Sequence, residues 1–322
     1  MDYDRRDFLK TVGVAAALLP AAREAEAATA PVKYVPAFRH FLDVDGYGPD
    51  ELFDLVGGNY RGLVTTSYLG PSNVSKKSIT YVVVDEVTVA VGTGLSRGVY
   101  QWIIATMGRN ATPRNGDYLS ADAQGNLHSL TTFFDAVITK VAFPPLDIHD
   151  KTPSTIALSF VPASIRKNTS TNQVTAAKPK PLMASNFRLT ISGLETSCEK
   201  VTQIESFFIS QEVSYPLGFL EVSPLNVSDL VFYCPEEFAG DFVAFADDFL
   251  GNGNHLEANE KTGTLDFLGP DKKSVLMTLT FFGLGIYGLT LEGDDSKTVA
   301  GRVMKVQMYC ETVSMAVIDT SG

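Results

Sequence analysis

Short stretches of alternating apolar and polar residues run along most of the chain, and in two places the spacing becomes helical. In Val87–Val91 every second residue is apolar, and after a glycine-bearing turn the apolar residues around Trp102 lie three to four apart. A period of two predicts a strand, and a period of three to four predicts a helix. Both patterns recur together 143 residues later, so one strand–helix unit is written twice.

Four separated blocks repeat in the same order in the two halves of the chain. The matched positions are 40–46 with 187–193; Val87, Val89, Val91, Leu95, Val99 and Trp102 with Leu230, Phe232, Cys234, Phe238, Phe242 and Phe245; 132–134, Ile138 and Val141 with 280–282, Ile286 and Leu289; and Ile156, Leu158 and Phe160 with Val306, Met308 and Cys310. The offsets are 147, 143, 148 and 150 residues, as expected when only the loops change length. The sequence therefore predicts a tandem duplication.

The duplication predicts two domains, 28–167 and 182–322, joined by a polar linker at 168–181 that ends in a Lys-Pro repeat. Each domain contains several short strands with turn glycines between them and one helix, at about 97–107 in the first and 239–249 in the second. The predicted fold is mainly β: two tandem antiparallel β-barrels or sandwiches, each with one flanking α-helix.

The first 27 residues have the pattern of an export leader. Arg5, Arg6, Phe8, Leu9 and Lys10 precede a short apolar run and an Ala-x-Ala site. This arrangement resembles a twin-arginine signal, which implies cleavage after Ala27 and an extracellular, cell-surface or periplasmic location. The alternative is an amphipathic N-terminal helix that stays attached. No later stretch is apolar and long enough to anchor the mature chain in a membrane.

Composition and motifs narrow the function. A net charge of −11 disfavours binding to nucleic acid. The four histidines lack metal-ligand spacing, and no nucleophile has a local catalytic signature, so we predict no enzyme activity, no metal and no cofactor. Three cysteines without a close-spaced pair predict no disulfide framework, and we expect Cys234 and Cys310 to pack as small buried residues.

The order of these elements resembles that of a known family. A strand ending in Asp-Gly is followed by a long polar excursion, a strand, a helix with an aromatic residue, a glycine-bearing loop at 116–125, the segment 133–145 and a last alternating strand. In both halves this resembles the tail tube proteins of long-tailed and contractile phages and the inner-tube proteins of contractile injection machines. The resemblance implies small β-barrels that assemble into six-fold rings, and rings that stack into a hollow tube.

The resemblance also implies that the excursion after the first strand contacts the neighbouring ring. Here the excursions carry aromatic residues beside turn glycines and proline: Tyr60 and Tyr68 in the first half, and Tyr215 and Phe219 in the second. Exposed aromatics suit the desolvated centre of an interface. We therefore predict these four residues as the stacking surface between rings, the alternative being that they fold back onto their own domain.

Two functions remain open at this stage. One is an exported structural protein that self-assembles into rings and a tube or filament, with three chains forming a pseudo-six-fold ring or, alternatively, six chains. The other is a secreted two-domain β-barrel protein that binds a ligand or a surface partner. A tail tube component of a virion is a minor alternative. The duplication favours the first function, because fusing two units halves the number of chains that a ring must order.

Overall fold

Two antiparallel sheets, one built mainly from each half of the chain, organise the structure. The computed structural model describes residues 38–69, 74–169, 172–215, 219–293 and 302–317. The predicted leader, with Arg5, Arg6, Phe8, Leu9 and Lys10, lies outside the described residues. Every strand pairing within them is antiparallel, and the fold is mainly β, as the sequence predicts.

Along the described part of the chain, six strands of the first half precede one helix and six follow it. They are β1 (Arg39–Val44), β2 (Asp50–Leu52), β3 (Asp54–Gly57), β4 (Tyr60–Leu69), β5 (Val74–Val84), β6 (Val87–Val91), β7 (Arg114–Ala121), β8 (Leu127–Phe143), β9 (Leu146–Asp147), β10 (Pro153–Ser154), β11 (Ile156–Val161) and β12 (Ser164–Asn168). The helix is α1 (Arg97–Met107).

The second half has a similar order of strands, with additional helical turns. Its strands are β13 (Leu182–Met183), β14 (Phe187–Ile191), β15 (Gln203–Ile204), β16 (Phe207–Ser210), β17 (Val213–Ser214), β18 (Glu221–Val222), β19 (Asn226–Val227), β20 (Leu230–Pro235), β21 (Lys261–Leu268), β22 (Val275–Glu292) and β23 (Val303–Val317). Its helices are α2 (Glu195–Cys198), α3 (Gly240–Ala246), a π-helical turn (Asp247–Gly251) and two 3-10 turns (Glu236–Phe238 and Glu257–Asn259).

Corresponding strands take the same places in the two sheets. The first sheet runs β2-β1-β7-β8-β11-β6-β3, and the second runs β14-β21-β22-β23-β20-β15-β9. The five consecutive neighbours β1-β7-β8-β11-β6 of the first sheet correspond to β14-β21-β22-β23-β20 of the second. In each series the third strand is the longest, and the fifth is the strand that precedes α1 or α3. Within the described residues neither sheet closes into a barrel.

The pairing registers of the two sheets also correspond. Gly116 lies opposite Phe133 in the first sheet and Gly263 opposite Phe281 in the second, with an irregularity just before each glycine. For the last strand the ladders place Leu158 and Val306 at equivalent positions, an offset of 148 residues. The sequence alignment at an offset of 150 is therefore two residues out of register. The alignment still selected buried positions, because shifting a strand by two residues leaves each side chain on the same face of the sheet.

Two strand additions interleave the halves. Strand β9, from the first half, pairs with β15 in the second sheet. Conversely, β16 pairs along the end of β8 in the first sheet, with Ile209 opposite Val141. The segment 168–181, predicted as a linker, is bound to the first half where it is described: Val174 is buried beside Phe41. The sheets therefore meet through shared strands as well as through the connecting segment.

One contiguous apolar core joins both sheets and the helices. In β6 and β20 every second residue is buried, which gives each strand an apolar face. Helix α1 buries Val99, Trp102 and Ile103 on one side, and the Trp102 ring lies 5.2 Å from that of Phe160. Burying one such side chain contributes about 1.5–3 kcal/mol, so the packed faces dominate stability.

The structure refines three local predictions. The helix at 97–107 has the predicted bounds, whereas that at 239–249 is α-helical only over Gly240–Ala246 and ends in the π-helical turn. The segment predicted as a glycine-bearing loop is mostly strand β7, with Tyr118 buried in the main core on one face and Leu119 buried beside Phe41 on the other. The prediction of buried cysteines is confirmed: Cys234 and Cys310 are buried and form no disulfide.

Candidate assembly surface

The polar excursion of the first half is a β-hairpin that stands apart from both sheets. Strands β4 and β5 pair with each other over ten residue pairs and, among the described residues, with no other strand. We call this hairpin, residues 60–69 and 74–84, the arm. A two-stranded hairpin is only marginally stable in water, and it usually needs a packing partner.

Apolar side chains are exposed on both faces of the arm. Tyr60, Val64 and Tyr68 share one face of β4, because their positions differ by multiples of two, and Ile79 lies opposite Val64. On the other face Tyr81 lies opposite Leu63. The exposed fractions are 62 % for Val64, 69 % for Tyr68 and 63 % for Ile79. The arm therefore presents apolar surface that no described part of the chain covers.

The base of the arm is held rigidly. Gly57 and Gly58 have φ of 89° and 70°, which favours glycine. A Cβ on Gly57 would lie 1.9 Å from the carbonyl oxygen of Glu86, so the two chain segments can meet only at glycine. The hydroxyl of buried Tyr118 donates to the Gly58 carbonyl, and burial raises the pKa of that phenol to about 12. The direction of the arm is thus fixed from inside the first sheet.

The structure places two of the predicted stacking residues on the arm. Tyr60 is 55 % exposed at the base, where its hydroxyl donates to the Ile165 carbonyl at 2.8 Å. Lys167 Nζ lies 6.0 Å from the centre of the Tyr60 ring. Tyr68 lies towards the tip, on the same face as Tyr60. A role of both residues in ring stacking stays a prediction, and the contacts of Tyr60 show that it also fastens the base of the arm.

The other two predicted residues lie on the second excursion, which has a different course. The Tyr215 hydroxyl donates to the backbone carbonyls of Asp135 and Val161, both in the first half. Burial, followed by the nearby Asp135 carboxylate, raises the Tyr215 pKa to about 12. Phe219 is 74 % exposed. The structure therefore joins Tyr60 with Tyr68 on the arm, and it attaches Tyr215 to the first sheet.

Two structural features around the arm and the first sheet are not indicated by the local sequence. The Gly57-Gly58 pair predicts a turn. The residues that a side chain at these positions would clash with, Glu86 and Tyr118, are distant in sequence. The pairing of β16 with β8 has no local signal, because both strands alternate in the same way as strands that pair within one half. Strand partners separated by more than sixty residues are chosen by the fold as a whole.

Outside the arm, the described residues contain fewer features of a binding or catalytic site. A surface depression of about 470 Å³ is lined by Asn186, Arg188, Cys198 and Lys272, among others. In the described ranges no three His, Cys, Asp or Glu side chains cluster closely enough to hold a metal ion. No helix in the same ranges has the length and apolar character needed to cross a membrane.

No protein-family model matches this chain, and no curated protein matches it. Solved structures with a similar chain include an anti-feeding prophage baseplate, six-fold symmetrised (11 % identity, TM-score 0.30, covering 47 % of this chain and 99 % of that one). Others are the tube-terminating cap of the anti-feeding prophage (12 %, 0.29, 45 % and 96 %) and the sheath–tube complex of an extracellular contractile injection system in its extended state (14 %, 0.26, 43 % and 93 %).

Proposed function

We propose that this protein is a structural subunit that assembles with copies of itself into rings, and that the rings stack into a hollow tube or filament. The observation that carries the proposal is the arm: a long hairpin with exposed apolar residues on both faces and a rigid base. A monomer gains nothing from exposing Val64, Tyr68 and Ile79 together, whereas an assembly covers them. Contiguous exposed apolar surface is typical of interaction sites.

We further propose that the two halves are copies of one unit and occupy equivalent places in a ring. Matching strand orders and registers support this proposal. Three chains would then close a ring of six units, with first and second halves alternating. Six chains per ring would mean instead that only one half lines the lumen.

We also propose that the protein is exported by a twin-arginine route and assembles at the cell surface or outside the cell. The support is the sequence pattern Arg5-Arg6-Asp7-Phe8-Leu9-Lys10 ahead of an apolar run. A tail tube in a virion is the alternative. It predicts the protein inside assembled particles rather than free in the medium.

The test is imaging and mass measurement of the purified chain from Ala28 to Gly322. We expect negative-stain images of rings and tubes, and a ring mass equal to three chains. Dispersed monomers at high concentration would contradict the proposal and favour the two-domain binding protein.

A shortened arm is the matched control for stacking. Replacing residues 64–80 by Asn-Gly would join Leu63 to Tyr81, which lie opposite each other, through a two-residue hairpin turn. This variant keeps the base of the arm and removes its exposed part. We expect it to form rings without tubes. Tubes of normal length from the shortened chain would show that the arm does not stack rings.

A further inference from the structure

The arm has a counterpart in the second half, and that counterpart already has a partner. In the first half Tyr60 lies opposite Val84 on the arm, and in the second half Ile209 of β16 lies opposite Val227 of β19. Both hairpins follow a short strand that pairs with the strand before the helix: β3 with β6, and β15 with β20. Tyr60 and Ile209 therefore hold equivalent positions.

The partner of β16 is the free end of the longest strand of the first sheet. Strand β7 covers β8 only up to Ala136, and β16 continues on that side, opposite residues 140–143. The backbone N–H of Gln211 donates to the Thr139 carbonyl at 2.8 Å, which shows that this edge of β8 bonds to the incoming chain.

Among the described residues, the equivalent edge in the second sheet is open. Strand β21 covers β22 only up to Leu284, although β22 continues to Glu292. Along residues 285–292 the only strand partner in the described part of the chain is β23, on the other side. The ladder irregularity at Thr139 in β8 recurs at Tyr287 in β22, which makes Val141 equivalent to Leu289 and Phe143 equivalent to Leu291.

Burial differs between the halves in the way that a missing partner predicts. Phe143 is 2 % exposed and packs against Phe207 of β16, whereas Leu291 is 38 % exposed. Met107 is 4 % exposed on α1, the helix that packs against β23 of the second half. Its equivalent, Leu250, is 47 % exposed. In the first half this surface is covered by the second half of the same chain. No described residue covers the equivalent surface of the second half.

We propose that strand β4 of one copy adds antiparallel to the open edge of β22 in a second copy, with Tyr60 opposite Leu289. The pairing repeats between chains what β16 and β8 do within the chain. It rests on the proposed self-assembly and names the surfaces that perform it. Open strand edges are templates for strand addition, and main-chain hydrogen bonds supply the affinity.

The geometry of this contact is head to tail. Each chain offers one donor edge, on β4, and one acceptor edge, on β22, so each copy binds two neighbours through different surfaces. Such heterologous contacts close into a ring or continue as a filament. Because the contact within the chain joins the second half to the first, and the proposed contact joins the first half to the second half of the next copy, halves alternate around the ring.

Disulfide cross-linking between two single variants tests the register. Phe208 and Ala142 pair within the chain, and their equivalents are Asn59 and Thr290, both exposed. In the proposed register Asn59 and Thr290 form a non-hydrogen-bonded pair. The Cα atoms of such a pair are about 4.5 Å apart, which is within the range of a disulfide. Asn59→Cys and Thr290→Cys proteins would be mixed under mild oxidation. The native cysteines are buried, and burial raises the pKa of Cys198 and Cys310 to about 12, which keeps these thiols unreactive.

The expected result is a disulfide-linked dimer that contains one chain of each variant, identified by mass spectrometry of the joined peptides. Lys77→Cys, near the tip of the arm, mixed with Thr290→Cys is the matched control, and it should not cross-link. Homodimers alone, or equal cross-linking in the control, would overturn the proposed register. In a double Asn59→Cys, Thr290→Cys chain, a monomeric intrachain disulfide would overturn the assignment to a second copy.

Hydrogen exchange of the unmodified protein gives a second readout. The amides of Leu289 and Leu291 are equivalent to those that face β16 in the first sheet, so assembly should slow their exchange at least tenfold relative to dilute protein. Rings or tubes without this protection and without the mixed cross-link would refute strand addition and leave the tube proposal standing. Cross-linked chains without rings would support strand addition and refute the ring.

Discussion

The rings of Phe143 and Phe267 pack with their centroids 5.9 Å apart, although Phe143 ends the longest strand of the first sheet and Phe267 belongs to the second. Phe207 of the second half is also within 6.4 Å of Phe143. Because this contact and the strands β9 and β16 join the two sheets, we expect the two halves to unfold as one unit.

The first prediction tests that unity. Phe267→Ala should lower the free energy of unfolding by about 3–5 kcal/mol, because a buried phenylalanine is removed from a packed seam. Trp102, the only tryptophan, packs against Phe133 and Phe160 of the first half, so its fluorescence reports on the packing around α1. In chemical denaturation, the unfolding transition measured by Trp102 fluorescence and that measured by far-ultraviolet circular dichroism should move together to a lower denaturant concentration.

The control for this experiment is Leu256→Ala. Leu256 is 68 % exposed, so its removal should change stability by no more than about 0.5 kcal/mol. A fluorescence transition that Phe267→Ala leaves in place, while circular dichroism shows an earlier second transition, would mean that the halves unfold independently.

The second prediction separates the two faces of the arm. Tyr68→Ser should shorten or abolish tubes and leave rings intact, since truncating a central interface aromatic costs about 2 kcal/mol or more at each contact. Tyr81→Ser is the matched control on the opposite face, at 57 % exposure compared with 69 %. Tube length is measured by negative-stain microscopy.

Tyr68 is preferable to Tyr60 for this test. The Tyr60 hydroxyl bonds the Ile165 carbonyl, so a Tyr60→Ser change also loosens the base of the arm. If Tyr68→Ser and Tyr81→Ser shorten tubes equally, the arm is covered on both faces. If neither changes tube length, the stacking role predicted for the Tyr60–Tyr68 face is wrong.

Local pattern was sufficient to predict much of this fold. Val99, Trp102 and Ile103 define the buried side of α1 by their spacing alone, and the alternation in Val87–Val91 gives the buried face of β6. Both patterns arise because one face of each element is buried against the core. Where one side of an element is buried, the sequence carries a period that can be read without the structure.

The arm and the crossed strands could not be predicted in this way. Both faces of β4 and β5 carry polar and apolar residues, so no single face identifies them as strands. Val174, the apolar residue that attaches the predicted linker to the first half, lies in a stretch that otherwise consists of polar residues, alanine and proline. These features depend on partners far along the chain, and composition near each residue does not identify those partners.

The third prediction concerns the leader. Replacing Arg5 and Arg6 by lysine should retain the protein in the cytoplasm, because the resemblance to a twin-arginine signal assigns recognition to the arginine pair. Fractionation and immunoblotting of cells that make each form measure the distribution. Lys178→Arg and Lys180→Arg, in the predicted linker, form a control that changes basic residues elsewhere. Equal export of the double-lysine variant would contradict the assignment.

The fourth prediction concerns Asp50, whose Oδ1 accepts a hydrogen bond at 2.7 Å from the Ser96 backbone N–H at the start of α1. Its Oδ2 is buried without a partner. Burial raises the Asp50 pKa to about 6, although the Ser96 hydrogen bond lowers it. The folded chain therefore holds a proton that the unfolded chain has already lost near pH 4. Because the folded state binds more protons, the free energy of unfolding falls as pH rises from about 4 to about 6.

Asp50→Asn removes this titration and keeps an oxygen that can accept from Ser96. At pH 4 the variant and the wild type should differ little, since Asp50 is protonated in the folded wild type. At pH 7 the variant should be more stable by up to about 3 kcal/mol, the equivalent of roughly two pKa units. Urea denaturation at the two pH values measures both differences. A stability difference that is the same at pH 4 and pH 7 would mean that Asp50 does not change protonation on unfolding, and that its carboxylate is solvated at the start of α1.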